Sequence, residues 1–205
     1  MLSHSKIALA SIGVLVIIML FSAFQIQPGL GLDNSSLVIR EGNLTKVTNL
    51  RIAPGETYSY SYKVGNESTN LTYSLSAGFG CTAISMLESQ ARICINEYGN
   101  DRSGLNSTYS EPVIITKPWM LAVRENWRWN VSSVLVFQGF EKPVEDVSFS
   151  TVRKEYYRGR EAYVVKLSSS LGSEIWDWVD ADKRVVLREI GPGYELVLVD
   201  GLQME

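Results

Sequence analysis

The chain has 205 residues, of which 20% are charged, and a formal net charge of −3 at pH 7. Its basic side chains form no stripe or cluster, which argues against a nucleic-acid-binding protein. The single histidine, His4, lies near the amino terminus, so the rest of the chain has no histidine for a Ser-His-Asp triad or a histidine metal site. We therefore predict a protein that is not an enzyme and that holds no cofactor.

An uncharged apolar run occupies residues 7–26. As a helix it would be about 30 Å long, the thickness of the hydrocarbon core of a bilayer. The run is longer than the core of a secretory signal, and no Ala-x-Ala cleavage site follows it. We predict a retained transmembrane anchor, with a cleaved signal peptide as the alternative. Lys6 precedes the run, which places residues 1–6 in the cytoplasm and the rest of the chain outside the cell membrane.

Six of the ten asparagines lie in Asn-x-Ser/Thr sequons, where chance would place about one or two. This excess predicts N-glycosylation and so an exterior location on an archaeal or eukaryotic surface. The alternative is that Asn, Ser and Thr crowd together in turns. The six residues are Asn34, Asn43, Asn66, Asn70, Asn106 and Asn130.

Cys81 and Cys94 are the only cysteines. Outside a reducing cytosol, an isolated pair this close in sequence most simply forms a disulfide. Closing so short a loop would stabilise the fold by about 2–3 kcal/mol. Two thiols without a nearby histidine are too few ligands for a metal site.

The chain after the anchor divides into a stalk or first strand at residues 27–44 and a β-rich domain at residues 45–205. The clearest strand is 57–64, where Tyr58, Tyr60 and Tyr62 alternate with polar residues. Residues 71–77 repeat the alternation, and the segment around the two cysteines is predicted as a hairpin. The loop that follows is rich in oxygen ligands, but its acidic residues lack the spacing of a calcium site.

The middle of the chain is rich in tryptophan. Residues 117–123 predict a short helix with proline at its first position. The following segments, residues 127–131 and 134–137, are typical of strands. Trp119 and Trp127 lie in this region.

The last third, residues 147–199, predicts a meander of short antiparallel strands joined by tight turns. Both faces of these strands carry apolar residues, as where Ile175 and Val179 oppose Trp176 and Trp178. Such a sheet needs cover on both sides. The predicted fold is mainly β: a curved antiparallel sheet or half-barrel with one short helix, or alternatively a β-sandwich.

Carboxylates are also frequent in this part of the chain. Several could meet in space, although residues 180–183 are typical of a β-turn. The candidates are Glu141, Glu145, Asp146, Asp177, Asp180 and Asp182.

Three runs, residues 159–167, 176–180 and 184–188, together with residues 54–60, resemble the strands of the lipoprotein-carrier half-barrel superfamily. In that family a strand with a Gly-x-x-Ala-Tyr pattern precedes a Trp-Val-Asp strand. The resemblance implies a strongly curved antiparallel sheet whose concave face holds an acyl chain or an apolar helix. The anchor, the sequons and the cysteine pair depart from the family, which argues against shuttling between membranes.

These patterns predict a membrane-tethered, non-catalytic binding module for a lipid, another apolar ligand or a protein partner. The alternative is a structural or assembly subunit of the cell envelope, such as a pilin-like or adhesion component. The predicted ligand or partner surface consists of Trp119, Trp127, Trp176, Trp178, Val164 and Val197.

Overall fold

The computed structural model describes residues 35–88, 92–99, 115–137 and 140–202. Within these residues, no helix has the length and apolar character needed to cross a membrane. The predicted anchor, residues 7–26, lies outside the described part of the chain.

The described residues are mainly β-structure, as predicted, with one short 3-10 helix at Pro118–Ala122. All strands belong to one antiparallel sheet in the order β1-β6-β7-β8-β9-β10-β11-β2-β3-β4-β5. The strands are β1 Ser35–Glu41, β2 Thr57–Val64, β3 Glu67–Gly78, β4 Cys81–Met86, β5 Arg92–Ile95, β6 Arg128–Phe137, β7 Phe140–Tyr157, β8 Arg160–Ser169, β9 Glu174–Asp180, β10 Val186–Gly191 and β11 Tyr194–Asp200.

Alternation in the sequence correctly located most strands. The tyrosine strand is β2, with Tyr58 and Tyr60 fully buried. Strands β4 and β5 form the predicted hairpin, and β7 to β11 pair in chain order as the predicted meander. Strand β1 pairs with β6, so the segment before residue 45 contributes an edge strand to the sheet.

The sheet is strongly bent. The Gly42 N–H bonds to the Asn130 carbonyl on β6, and eight positions later the Leu50 N–H bonds to the Glu97 carbonyl just past β5. Eight residues span at most about 29 Å, whereas nine flat strand spacings between β6 and β5 would span about 43 Å. The sheet must therefore curve to bring these ends together.

The 3-10 helix fills the hollow of the bent sheet. Residues 119–123 are each at most 1% exposed, and the Val47 N–H bonds to the Leu121 carbonyl from the segment that bridges the sheet ends. The Trp119 ring stacks on Trp127 at 6.0 Å and packs against Phe149 at 5.3 Å between ring centroids. The predicted short helix is thus confirmed, and the chain covers this face of the sheet with its own residues.

The predicted disulfide is present. Cys81 begins β4 and Cys94 lies in β5, with 5.6 Å between their Cα atoms. Gly78, the register partner of Cys81 on β3, lies directly beside the two sulfur atoms. The bridge therefore joins the last two strands of the sheet and packs on a third.

Gly78→Ala is expected to lower the free energy of unfolding by about 1–3 kcal/mol. The added Cβ would lie 2.5 Å from Cys81 Sγ and 2.9 Å from Cys94 Sγ, which is too close without a shift of the bridge. Urea denaturation measures the change. In a Cys81→Ala/Cys94→Ala background the same substitution should cost less, and an equal cost in both backgrounds would refute the contact with sulfur as the cause.

Candidate functional site

The predicted surface residues lie on two opposite faces of the sheet. Register partners on antiparallel strands point to the same side, and we call the side that holds Trp119 the inner face and the other the outer face. Trp119 and Trp127 pack with Phe149 on the inner face. On the outer face lie the register partners Val164 and Trp178, with Trp176 and Val197. The structure therefore does not bring the six residues into one surface.

Charged side chains cover much of the outer face between β7 and β11. The Arg188 guanidinium lies 5.0 Å from the Trp178 ring centroid and donates two hydrogen bonds to Glu195 Oε1. Lys166 Nζ lies 5.4 Å from the Trp176 ring centroid. Because the stems of long charged side chains shield apolar surface, Trp178 is only 7% exposed. This charged layer provides part of the cover that the two apolar faces require.

Glu155 completes this arrangement on the outer face. Its Oε1 accepts a hydrogen bond of 2.6 Å from Trp178 Nε1, and its Oε2 accepts one of 2.5 Å from Arg153. The hydrogen bond from Arg153, followed by that from Trp178, lowers the pKa of Glu155. The carboxylate therefore stays ionised and fixes the orientation of the indole ring.

Two of the described sequons lie on strands that flank this face. Asn43, Asn66, Asn70 and Asn130 are all exposed, whereas Asn34 and Asn106 lie outside the described residues. Asn70 on β3 pairs with Ser61, and Asn130 on β6 alternates with buried residues, so both point to the outer side. Strands β7 to β11 lie between β6 and β2-β3 in the sheet and carry no sequon.

A cluster of charged side chains lies on the inner face, with Asp177 and Glu189 buried and the Lys117 side chain 17% exposed. Asp177 on β9 and Glu189 on β10 are register partners, and Lys117 approaches both from the residue before the 3-10 helix. Lys117 Nζ lies 2.9 Å from Glu189 Oε2 and 3.8 Å from Asp177 Oδ2. The Tyr194 hydroxyl donates a 2.5 Å hydrogen bond to Glu189 Oε1. We call these four residues the buried cluster.

The two carboxyl groups of the buried cluster have different protonation preferences. Burial raises the pKa of Asp177 well above its usual value, more than the Lys117 charge lowers it, and Glu189 adds to the increase. Burial also opposes ionisation of Glu189, but Lys117 and the hydrogen bonds from Asp177 and Tyr194 outweigh it and lower the pKa of Glu189. These directions favour a neutral Asp177 beside an ionised Glu189.

As an ionised carboxylate, Asp177 would have no hydrogen-bond donor for either oxygen among the described residues, and its side chain is 0% exposed. Buried polar groups are nearly always hydrogen-bonded, so an exception of this kind needs an explanation. Protonation turns Asp177 into a donor toward Glu189. The same protonation makes its carboxyl carbon more electrophilic.

The sequence predicted that Asp177 could meet other carboxylates. It did not identify Lys117 and Glu189 as the residues that Asp177 contacts. The signal was available in β9, where Asp177 stands between Ile175 and Val179 on an apolar face. Asp180, by contrast, accepts hydrogen bonds from the backbone N–H groups of residues 182 and 183, which confirms the predicted β-turn.

No protein-family model and no curated protein matches this chain. The arrangement of the outer face and of the buried cluster is therefore the basis on which function is inferred.

Proposed function

We propose that the chain is an N-glycosylated domain outside the cell membrane, tethered by residues 7–26, which binds a partner protein through the outer face of β7 to β11. The observation that carries this proposal is the position of the sequons. Glycans on Asn70 and Asn130 would flank the meander strands and leave their outer face open. A surface that glycans flank but do not occupy is suited to protein contact.

The composition of the same face supports a protein partner. Tryptophan and arginine are enriched at interface positions that contribute most to binding energy. Here Trp176 is partly exposed beside Lys166, Arg188 lies over Trp178, and Val199 is 47% exposed at the end of β11. A partner could gain apolar contact at Trp176 and Val199 and polar contact with the surrounding charges.

A lipid or other apolar ligand in the hollow has less support. We propose that the bent sheet is a half-barrel of the lipoprotein-carrier kind in which the 3-10 helix occupies the place of an acyl chain. Trp119 and Trp127 already fill this space and are at most 5% exposed. An apolar ligand would have to displace them.

A glycan introduced on the outer face is expected to abolish partner binding. Val197→Asn with Val199→Thr creates an Asn-Leu-Thr sequon on β11, within the proposed interface. On native electrophoresis of solubilised membranes, the wild-type chain should migrate in a complex larger than its own glycoprotein mass. The variant should migrate as the free glycoprotein, because a bulky glycan prevents close contact.

Ser74→Asn provides the matched control. It creates an Asn-Leu-Ser sequon on β3, outside the meander strands. This variant should retain the large complex. A free wild-type chain, or a complex that survives the glycan at residue 197, would refute the proposed interface. The mass of the complex also separates a distinct partner from the assembly-subunit alternative, which predicts a multimer of this chain.

A further inference from the structure

Lys117 and Asp177 have the arrangement of two reactants held for condensation. The primary amine of Lys117 lies 3.8 Å from Asp177 Oδ2, and the Asp177 side chain is fully buried. Glu189 touches the amine at 2.9 Å and is the register partner of Asp177. An amine, a carboxylic acid and a carboxylate able to move protons between them therefore lie within one apolar site.

We propose that Lys117 and Asp177 form an intramolecular amide bond, with Glu189 as the catalytic residue that transfers protons. The bond would join Lys117 Nζ to Asp177 Cγ. It would covalently tie the segment that fills the hollow to β9, a central strand of the sheet.

Proximity and burial both favour formation of the amide bond. Groups held in contact react with effective concentrations of about 10⁵–10⁸ M when their orientation is favourable. Water has little access to the acid, since the Asp177 side chain is 0% exposed and Val165 and Leu196, the register partners of Asp177 and Glu189, are at most 1% exposed. The product also replaces a buried ammonium and carboxylate by neutral groups, which removes the cost of keeping charges away from water.

The reaction balances without any further reactant. Glu189 first accepts a proton from the Lys117 ammonium, and the neutral amine attacks Cγ of the protonated Asp177. The C–N bond forms, one C–O bond breaks, and the departing hydroxyl leaves as water with a proton passed on by Glu189. The amide keeps one hydrogen on nitrogen, and the remaining proton of the ammonium stays on Glu189.

Tyr194 acts as a positioning residue for this step. Its hydroxyl donates to Glu189 Oε1, which leaves Oε2 directed at Lys117 Nζ. Burial raises the pKa of Tyr194 far above its ordinary value, and the Glu189 carboxylate adds to the increase, so the tyrosine remains a donor. The carboxylate is thereby fixed with one oxygen on the amine.

Mass spectrometry of the full chain tests the bond. After reduction of the disulfide and removal of N-linked glycans, the chain should be lighter than its sequence mass by one water molecule. Proteolysis should then release a branched peptide that contains both Lys117 and Asp177. A full sequence mass together with separate, unlinked peptides for the two residues would refute the proposal, and this result does not depend on the folding of any variant.

Two variants identify the roles of the residues. Glu189→Gln keeps the size of the side chain but cannot transfer protons, and should slow bond formation by roughly 100- to 10,000-fold. Lys117→Arg keeps the positive charge and removes the reactive amine, so its chain should retain the full sequence mass. A branched peptide that forms at the wild-type rate in Glu189→Gln would contradict the role of Glu189, and a loss of water in Lys117→Arg would contradict that of Lys117.

Discussion

Trp119→Ala is expected to lower the free energy of unfolding by about 3–5 kcal/mol, the range measured for removal of large aromatic residues from cores. Trp119 is 1% exposed and contacts Trp127 and Phe149. It stands in the 3-10 helix, so its loss leaves a cavity where the inner faces of the strands meet. Urea denaturation followed by fluorescence of the remaining tryptophans measures the change.

Trp176→Ala is the matched control for this prediction. Trp176 lies on the outer face, is partly exposed, and has Lys166 Nζ 5.4 Å from its ring centroid. Its removal leaves no enclosed cavity, so we expect a cost of about 1 kcal/mol. If both tryptophans cost the same, the 3-10 helix would not be the centre of the core.

Local alternation was enough to predict the strands because one side of each faces a continuous core. Tyr58, Tyr60 and Tyr62 appear at every second position, and this pattern alone located β2. The short helix was also predictable, because Pro118 suits the first position of a helix and an apolar run follows it. The cysteine pair was predictable because only one pairing exists.

The long-range arrangement could not be predicted in the same way. Nothing local in the sequence indicates that β1 pairs with β6 or that residues 42–50 bridge the two ends of the sheet. The apolar outer face was correctly predicted, but its cover by Arg188 and Lys166 was not, since a long charged side chain shields its neighbours only when the register is known. Register also decides that Asp177 meets Glu189.

In chains that have not formed the amide, Lys117→Met is expected to lower the free energy of unfolding by about 3–5 kcal/mol at neutral pH, because it removes the cation that compensates the ionised Glu189 carboxylate. Lys117 is also the residue that holds the start of the 3-10 helix against β9 and β10. Chemical denaturation at several pH values measures both the size of the loss and its dependence on protonation.

The dependence on pH has a definite sign. In the variant, the pKa of the buried Asp177 rises further above its unfolded value, and Glu189 loses the Lys117 charge, the largest of the causes that lower its pKa. Stability is then fully present below the unfolded values of about 4 and is lost as the pH rises through the folded values. The variant should therefore be closest to wild type in acid and furthest from it near neutral pH.

Lys117→Arg is the control that separates the effect of charge from that of the covalent bond. It keeps the cation, so it should cost less than Lys117→Met. A loss that is equal for both variants and constant with pH would refute the electrostatic role of Lys117.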